Sequence, residues 1–200
     1  MAYKKIIKYN NKGKIHSKDG PAIFDDTVDG SFTRFVFLKN GKYLKSLPCV
    51  VEYRNENDWY LDWLSHSHTT KSEFSQIYYS SQGKYNISFN VESHKNSMNL
   101  SKPTSMRKDE NNVYEINYRY FDKKRQSLTV IIGYENNIVI YGNEVGFPNN
   151  REEAEAKLKE VYGPISLDHF VQLKDYYESK INDWGIYAKS VFDKYKYGLK

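Results

Sequence analysis

In the first ninety residues of this chain, short aromatic and β-branched runs are broken repeatedly by Asn, Asp, Gly and Pro. The runs are Tyr3 to Tyr9, Thr33 to Leu38, Cys49 to Tyr53, Trp59 to Leu64, Phe74 to Tyr79 and Lys84 to Phe89. Each is too short for a stable helix and has the side chains that suit a pleated, half-buried surface. Between them lie Asn11-Lys12-Gly13, Asp19-Gly20-Pro21, Asn40-Gly41 and Ser81-Gln82-Gly83, whose Gly and Asn tolerate the positive φ of tight turns. Antiparallel hairpins follow, including one that joins Ile77–Tyr79 to Tyr85–Ile87. The carboxylate pair Asp25-Asp26 falls outside the runs and reads as loop.

Apolar content collapses from Val91 to Asn112, which marks residues 92–112 as a linker or long loop between a hairpin region, 1–91, and a second region, 113–200. In the second region Val113–Tyr120 alternates by twos, and Leu128–Ile132 and Ile138–Tyr141 complete a three-strand meander. Helices should cover it. Asn150 caps the first, with Glu153 three residues on, and Gly163-Pro164 ends it. Ser166 caps a second, with an apolar stripe through Leu167, Phe170, Leu173, Tyr177 and Ile181, and Trp184 to Tyr195 suggests a third. The expected class is α+β, with hairpin repeats first and a meander plus two or three helices after.

The hairpins repeat. Tyr9-Asn10-Asn11-Lys12-Gly13-Lys14-Ile15-His16 aligns with Phe37-Leu38-Lys39-Asn40-Gly41-Lys42-Tyr43-Leu44, and Pro21 and Pro48 follow at similar distances. Trp59 to His66 fits the frame with Trp63 in the Gly place. Such units are too small to bury their own faces and must stack. The run Gly13-Lys14-Ile15-His16-Ser17-Lys18-Asp19-Gly20-Pro21-Ala22 resembles the G-x-x-H-x-x-D-G-P-A signature of MORN-like repeats found in phage and large DNA virus proteins. The second unit keeps Gly41 and Pro48 but has Leu44 for His. The third keeps Trp59 and His66 without Gly or Pro, so the resemblance spans residues 9–70. It implies β-hairpin repeats used for contact, with no enzymatic activity, and gives His16 a turn-packing role.

Signatures of catalysis are missing from the letters. The chain has no G-x-G-x-x-G, G-x-x-x-x-G-K-[ST] or G-x-S-x-G stretch. His66-Ser67-His68 could put two imidazoles on one strand face, but His94, Asp62 and Glu73 are unfixed as a third ligand. His68-Thr69-Thr70 has the form of a two-histidine phosphoesterase motif without a second copy. The single Cys49 excludes an internal disulfide and reads as a small buried residue. No metal or cofactor is expected, and the chain is read as not an enzyme. No stretch approaches the ~20 apolar residues of a membrane span, and the basic N-terminus lacks the apolar run of an export signal, so a cytoplasmic location is expected.

The formal charge is +5, and residues 1–50 alone carry ten basic and four acidic side chains. That excess attracts an acidic protein surface or nucleic acid. The first reading is a non-catalytic protein-binding module with Tyr60, Trp63, Tyr78 and Tyr79 as interface anchors. With its repeat resemblance and Lys/Asn/Tyr-rich composition, the chain looks like a phage accessory protein that inhibits a host protein, as anti-CRISPR and other anti-defence proteins do. It would then act in the host cytoplasm. The alternative is a nucleic-acid-binding protein that uses the basic N-terminal region and Arg119, Lys123, Lys124 and Arg125, where Tyr118, Tyr120 and Phe121 could stack on bases.

Overall fold

The structure is a computed structural model that describes residues 3–27, 33–44, 47–63, 72–90, 99–119 and 125–196. It is α+β, and the chain divides into two compact units: Met1–Gln82 with Ile181–Lys200, and Gly83–Lys180.

The first unit carries β1 (Tyr3–Ile7), β2 (Ile23–Thr27), β3 (Thr33–Val36), β4 (Leu38–Lys39), β5 (Lys42–Tyr43), β6 (Val50–Asn55), β7 (Asp58–Asp62) and β8 (Phe74–Tyr79). Strands β1, β2, β3, β6, β7 and β8 pair antiparallel in that order. The period-two alternation then assigns the faces. Phe24, Phe35, Val51, Leu61 and Ile77 form one cross-strand row, and residues 181–196 of the C-terminal helix cover it. Phe35 meets Tyr195, Tyr53 meets Phe192, and Trp63 meets Trp184 edge-on with ring centroids 4.9 Å apart.

The opposite face holds a polar row, Lys5, Asp25, Arg34, Glu52, Tyr60 and Tyr78, whose neighbours are register partners. Charges alternate along it: Lys5 pairs with Asp25 at 3.7 Å and Arg34 with Glu52 at 3.3 Å. Opposite charges directly across a ladder each add a few tenths of a kcal/mol to about 1 kcal/mol. Asp25-Asp26, expected in a loop, is therefore the middle of β2, and Asp25 is buried. Its partner on the next strand is what makes a carboxylate acceptable there.

On the same face Ala22, Val36, Leu38 and Val50 form a small second core with Ile15 and Ile23. The first two expected hairpin units close it. The Tyr9–Ile15 turn is held by the Asn10 side chain, which accepts from the Lys12 and Lys14 amides. The β4–β5 turn uses Asn40 and Gly41, both at positive φ. The two turns then bond to each other. His16 Nδ1 accepts from the Asn40 amide at 3.0 Å, Asn10 Nδ2 donates to Asn40 Oδ1 at 2.9 Å, and the Gly41 amide donates to the Ile15 carbonyl. Strands β2 and β6 each begin just after a Pro-small pair, Pro21-Ala22 and Pro48-Cys49, where a missing N–H is harmless. The third expected unit differs: Trp59 lies inside β7, which pairs on both sides, and Trp63 is buried instead of turning.

The second unit holds β9 (Tyr85–Phe89), β10 (Ser105–Lys108), β11 (Tyr114–Arg119), β12 (Ser127–Ile132) and β13 (Ile138–Gly142), paired antiparallel in that order. Strand β10 lies inside the segment 92–112 expected as linker or loop. It is short and mostly polar, and only Met106 points a large apolar chain into the core row Ile87, Met106, Ile116, Val130, Ile140. Its pairing on both edges supplies the order its composition hides.

Helix α1 spans Arg151–Tyr162. Asn150 Oδ1 accepts from the Glu153 amide, the cap that the letters suggest, while the Glu153 carboxylate accepts from the Asn149 amide, one residue before the cap, and not from the cap's own amide as in a full capping box. Helix α2 spans Asp168–Lys196 without a break, so the expected second and third helices are one. Within it the Trp59 indole lies against Gly185; a Cβ there would come within 3.3 Å of the ring. Among the described residues no helix is long and apolar enough to cross a membrane.

Candidate functional site

The residues expected as anchors are not brought together. Tyr60 and Tyr78 face each other across β7 and β8 on the polar face. Tyr78 is 45% exposed, while the Tyr60 hydroxyl donates to Asp62 at 2.9 Å. Burial first, then that bond, pushes the Tyr60 phenol well above its ordinary range, so it stays a neutral donor. Tyr79 lies on the opposite face, stacked on Trp59 at 5.5 Å. Trp63 is 0% exposed and wedged between Phe74 and Trp184. It is core, because a large indole beside a helix that presents Trp184 loses more water there than on a surface.

Of the expected nucleic-acid contacts, Arg119 ends β11 and Arg125 sits at positive φ, both exposed. Lys123 and Lys124, with Tyr120 and Phe121, lie outside the described residues. Tyr118 is buried, its hydroxyl donating to the Leu100 carbonyl at 2.6 Å, and offers no ring face for stacking. His66, His68 and His94 also lie outside the described residues. Among the described residues no group of three or more His, Cys, Asp or Glu gathers as metal ligands. Cys49 is buried, and burial pushes its thiol up to about 11, so it is protonated at neutral pH.

A groove of about 410 Å³ opens in the first unit between the hairpin turns and the last turns of α2. Its floor is apolar, with Phe37, Leu38, Leu44 and Val191, and Tyr195 packs edge-on against Phe37. Gly20 makes the close approach to Tyr195 feasible, since a Cβ at that position would lie 2.9 Å from the ring. Lys18, Lys39 and Lys194 stand at the rim, all exposed, and Lys194 lies over the Tyr195 ring at 5.1 Å. Burial pushes the Tyr187 phenol up to about 12, which keeps its hydroxyl neutral over the ordinary pH range. Among the described residues neither a carboxylate, an imidazole nor a thiol lines the groove. It offers positive charge and apolar area, the combination that holds an anionic group with an apolar tip. Leu47, 43% exposed, carries the apolar lining out to the surface.

Sequence reasoning did not single out these lysines. The signal was present as the charge excess of the first fifty residues, but Lys194 comes from the far end of the chain and only folding adds it. No protein-family model, curated protein or solved structure matches this chain.

Proposed function

We propose that the chain is a non-catalytic protein-binding module whose lysine-rimmed groove receives an acidic surface segment of a partner protein. The groove supports this reading: among the described residues three exposed lysines, Lys18, Lys39 and Lys194, stand around an apolar floor whose lining has no carboxylate. A small acidic patch with one apolar side chain complements it in charge and shape. The MORN-like resemblance of residues 9–70 extends the proposal to a phage-encoded accessory protein that binds and inhibits a host protein, in an anti-CRISPR or other anti-defence role. Nucleic acid is the second reading, supported by the exposed Arg119 and Arg125 and by the same lysines.

Affinity capture from host lysate tests it, using the native chain and the Lys18→Glu/Lys39→Glu/Lys194→Glu variant, each with and without nuclease. The expected result is a defined protein retained after nuclease and lost with the triple variant. Recovery of nuclease-sensitive material alone transfers the reading to nucleic acid. In that case binding should also weaken steeply between 50 and 200 mM salt.

A further inference from the structure

We infer that Asn40 is a deamidation site held shut by the first hairpin turn, and that isoaspartate formed there keeps the two turns apart once they have separated. The inference stands on these turns alone and goes beyond the groove.

Asn40-Gly41 is the single Asn-Gly pair in the chain. Such a pair carries its own reagent. The Gly41 nitrogen, unhindered because its residue has no Cβ, attacks Asn40 Cγ, the carbonyl carbon of the side chain. A bond forms between them, the Cγ–Nδ2 bond breaks, and ammonia leaves with the proton of the Gly41 amide. Water then opens the five-membered imide on one side or the other. Addition at Cγ gives aspartate. Addition at the main-chain carbonyl carbon gives isoaspartate, whose backbone runs through the side chain and is one atom longer. One water enters, one ammonia departs, and nothing is oxidised or reduced.

The surface position supplies the water and the fold supplies the restraint. Asn40 and Gly41 are exposed, and the space beside Gly41 is open. They are the two central residues of the turn between β4 and β5, at φ 56° and 75°. A residue in that left-handed region has ψ near about +47°. The following nitrogen then stands nearly opposite the residue's own Cβ, whereas ring closure needs the two on the same side. Three bonds from the first hairpin hold this conformation. The Asn40 amide donates to His16 Nδ1 at 3.0 Å, Asn10 Nδ2 donates to Asn40 Oδ1 at 2.9 Å, and the Gly41 amide donates to the Ile15 carbonyl at 2.8 Å. The second pins the group that carries Cγ. The third acts on the nucleophile, which must give up its proton to attack and holds it more firmly while bonded. Reaction therefore waits on separation of the turns, a local opening that leaves the sheet folded.

Isoaspartate makes the separation permanent. One extra backbone atom in a two-residue loop breaks the register of Leu38 with Tyr43 and of Lys39 with Lys42, and the Gly41 amide no longer meets Ile15. Leu38 and Ile15 belong to the small second core, which loses its closure.

Ageing the full chain at pH 8 in heavy-oxygen water tests this. Each imide that opens takes up one heavy oxygen, and mass spectrometry of the Asn40 peptide, separated into aspartate and isoaspartate forms, reads the rate. The native chain should form both products at least about tenfold more slowly than the same chain unfolded in urea. Two variants part the turns without touching the reacting pair. Asn10→Asp still accepts from the Lys12 and Lys14 amides but no longer donates to Asn40, and His16→Ala removes the acceptor for the Asn40 amide. Each should speed the reaction roughly three- to tenfold, the effect of one lost hydrogen bond on an opening equilibrium. The isoaspartate chain, isolated by ion exchange, should lose protection of the Gly41 amide against hydrogen exchange while its circular dichroism is kept. Native deamidation as fast as in urea overturns the inference. So do folded variants that both age at the native rate, aspartate formed without isoaspartate, or an isoaspartate chain whose Gly41 amide stays protected.

Discussion

Replacing Trp63 by Ala separates an interface anchor from a core residue. The side chain is 0% exposed and touches Phe74 and Trp184 with centroids 5.8 and 4.9 Å away. Emptying such a site costs about 3–5 kcal/mol. The edge-on contact with Trp184 puts the value in the upper half, because aromatic pairs add about 0.5–1.5 kcal/mol beyond their area. For a chain of this size each kcal/mol moves the melting temperature by about 2–4 °C, which for about 4–5 kcal/mol gives a drop of about 8–20 °C. Trp63→Phe behaves differently. The indole Nε1 is buried without a hydrogen-bond partner among the described residues. Such a donor costs about 1–3 kcal/mol, so removing it offsets much of the packing that the smaller ring loses. The expected net cost for Phe is about 1 kcal/mol or less. Chemical denaturation followed by far-ultraviolet circular dichroism reads both. An Ala variant within about 1 kcal/mol of the native chain, or a Phe variant as unstable as Ala, refutes the core assignment.

Two further predictions concern groups that the fold has committed. Burial raises the Cys49 thiol from its ordinary 9.0 to about 11, so the folded state favours the protonated form. The stability that follows is whole below pH 9 and is lost as pH rises through 11, at about 1.4 kcal/mol per pH unit. Native protein should resist a thiol-selective disulfide reagent at pH 8, and Cys49→Ala should flatten the pH 9–11 part of the stability curve; rapid native labelling contradicts this. His16→Ala removes the acceptor for the Asn40 amide, for an expected loss of about 0.5–1.5 kcal/mol and at least tenfold faster amide exchange at Asn40. Unchanged protection of that amide means the turns are held by something else.

Much of the fold is written locally. Turns at Gly13 and Asn40-Gly41, the cap at Asn150 and the alternation of Tyr114–Arg119 are set by backbone freedom, short-range bonds and period, and all appear where the letters put them. What stays hidden depends on partners distant in sequence. Strand β2 is disguised by Asp25, acceptable there only because Lys5 and Arg34 flank it in register. Strand β10 is disguised by its charges and ordered by pairing on two edges. The close packing of Trp59 on Gly185 joins residues more than 120 positions apart. The candidate site follows the same division. Residue type marked Tyr60, Trp63, Tyr78 and Tyr79 as anchors, but strand parity sends two to each face. The groove needs Lys194, more than 150 positions from Lys18 and Lys39.

Helix α2 belongs to both compact units. During translation, the strands up to Tyr79 leave the ribosome with Phe35, Leu61 and Trp63 uncovered, and about a hundred further residues precede Ile181. At about 5–20 residues per second that wait lasts several seconds, far longer than a hairpin takes to close. The nascent N-terminal half is thus a natural client for chaperones. A stop codon placed ahead of Ile181 does not trim a tail but strips the cover from residues made first.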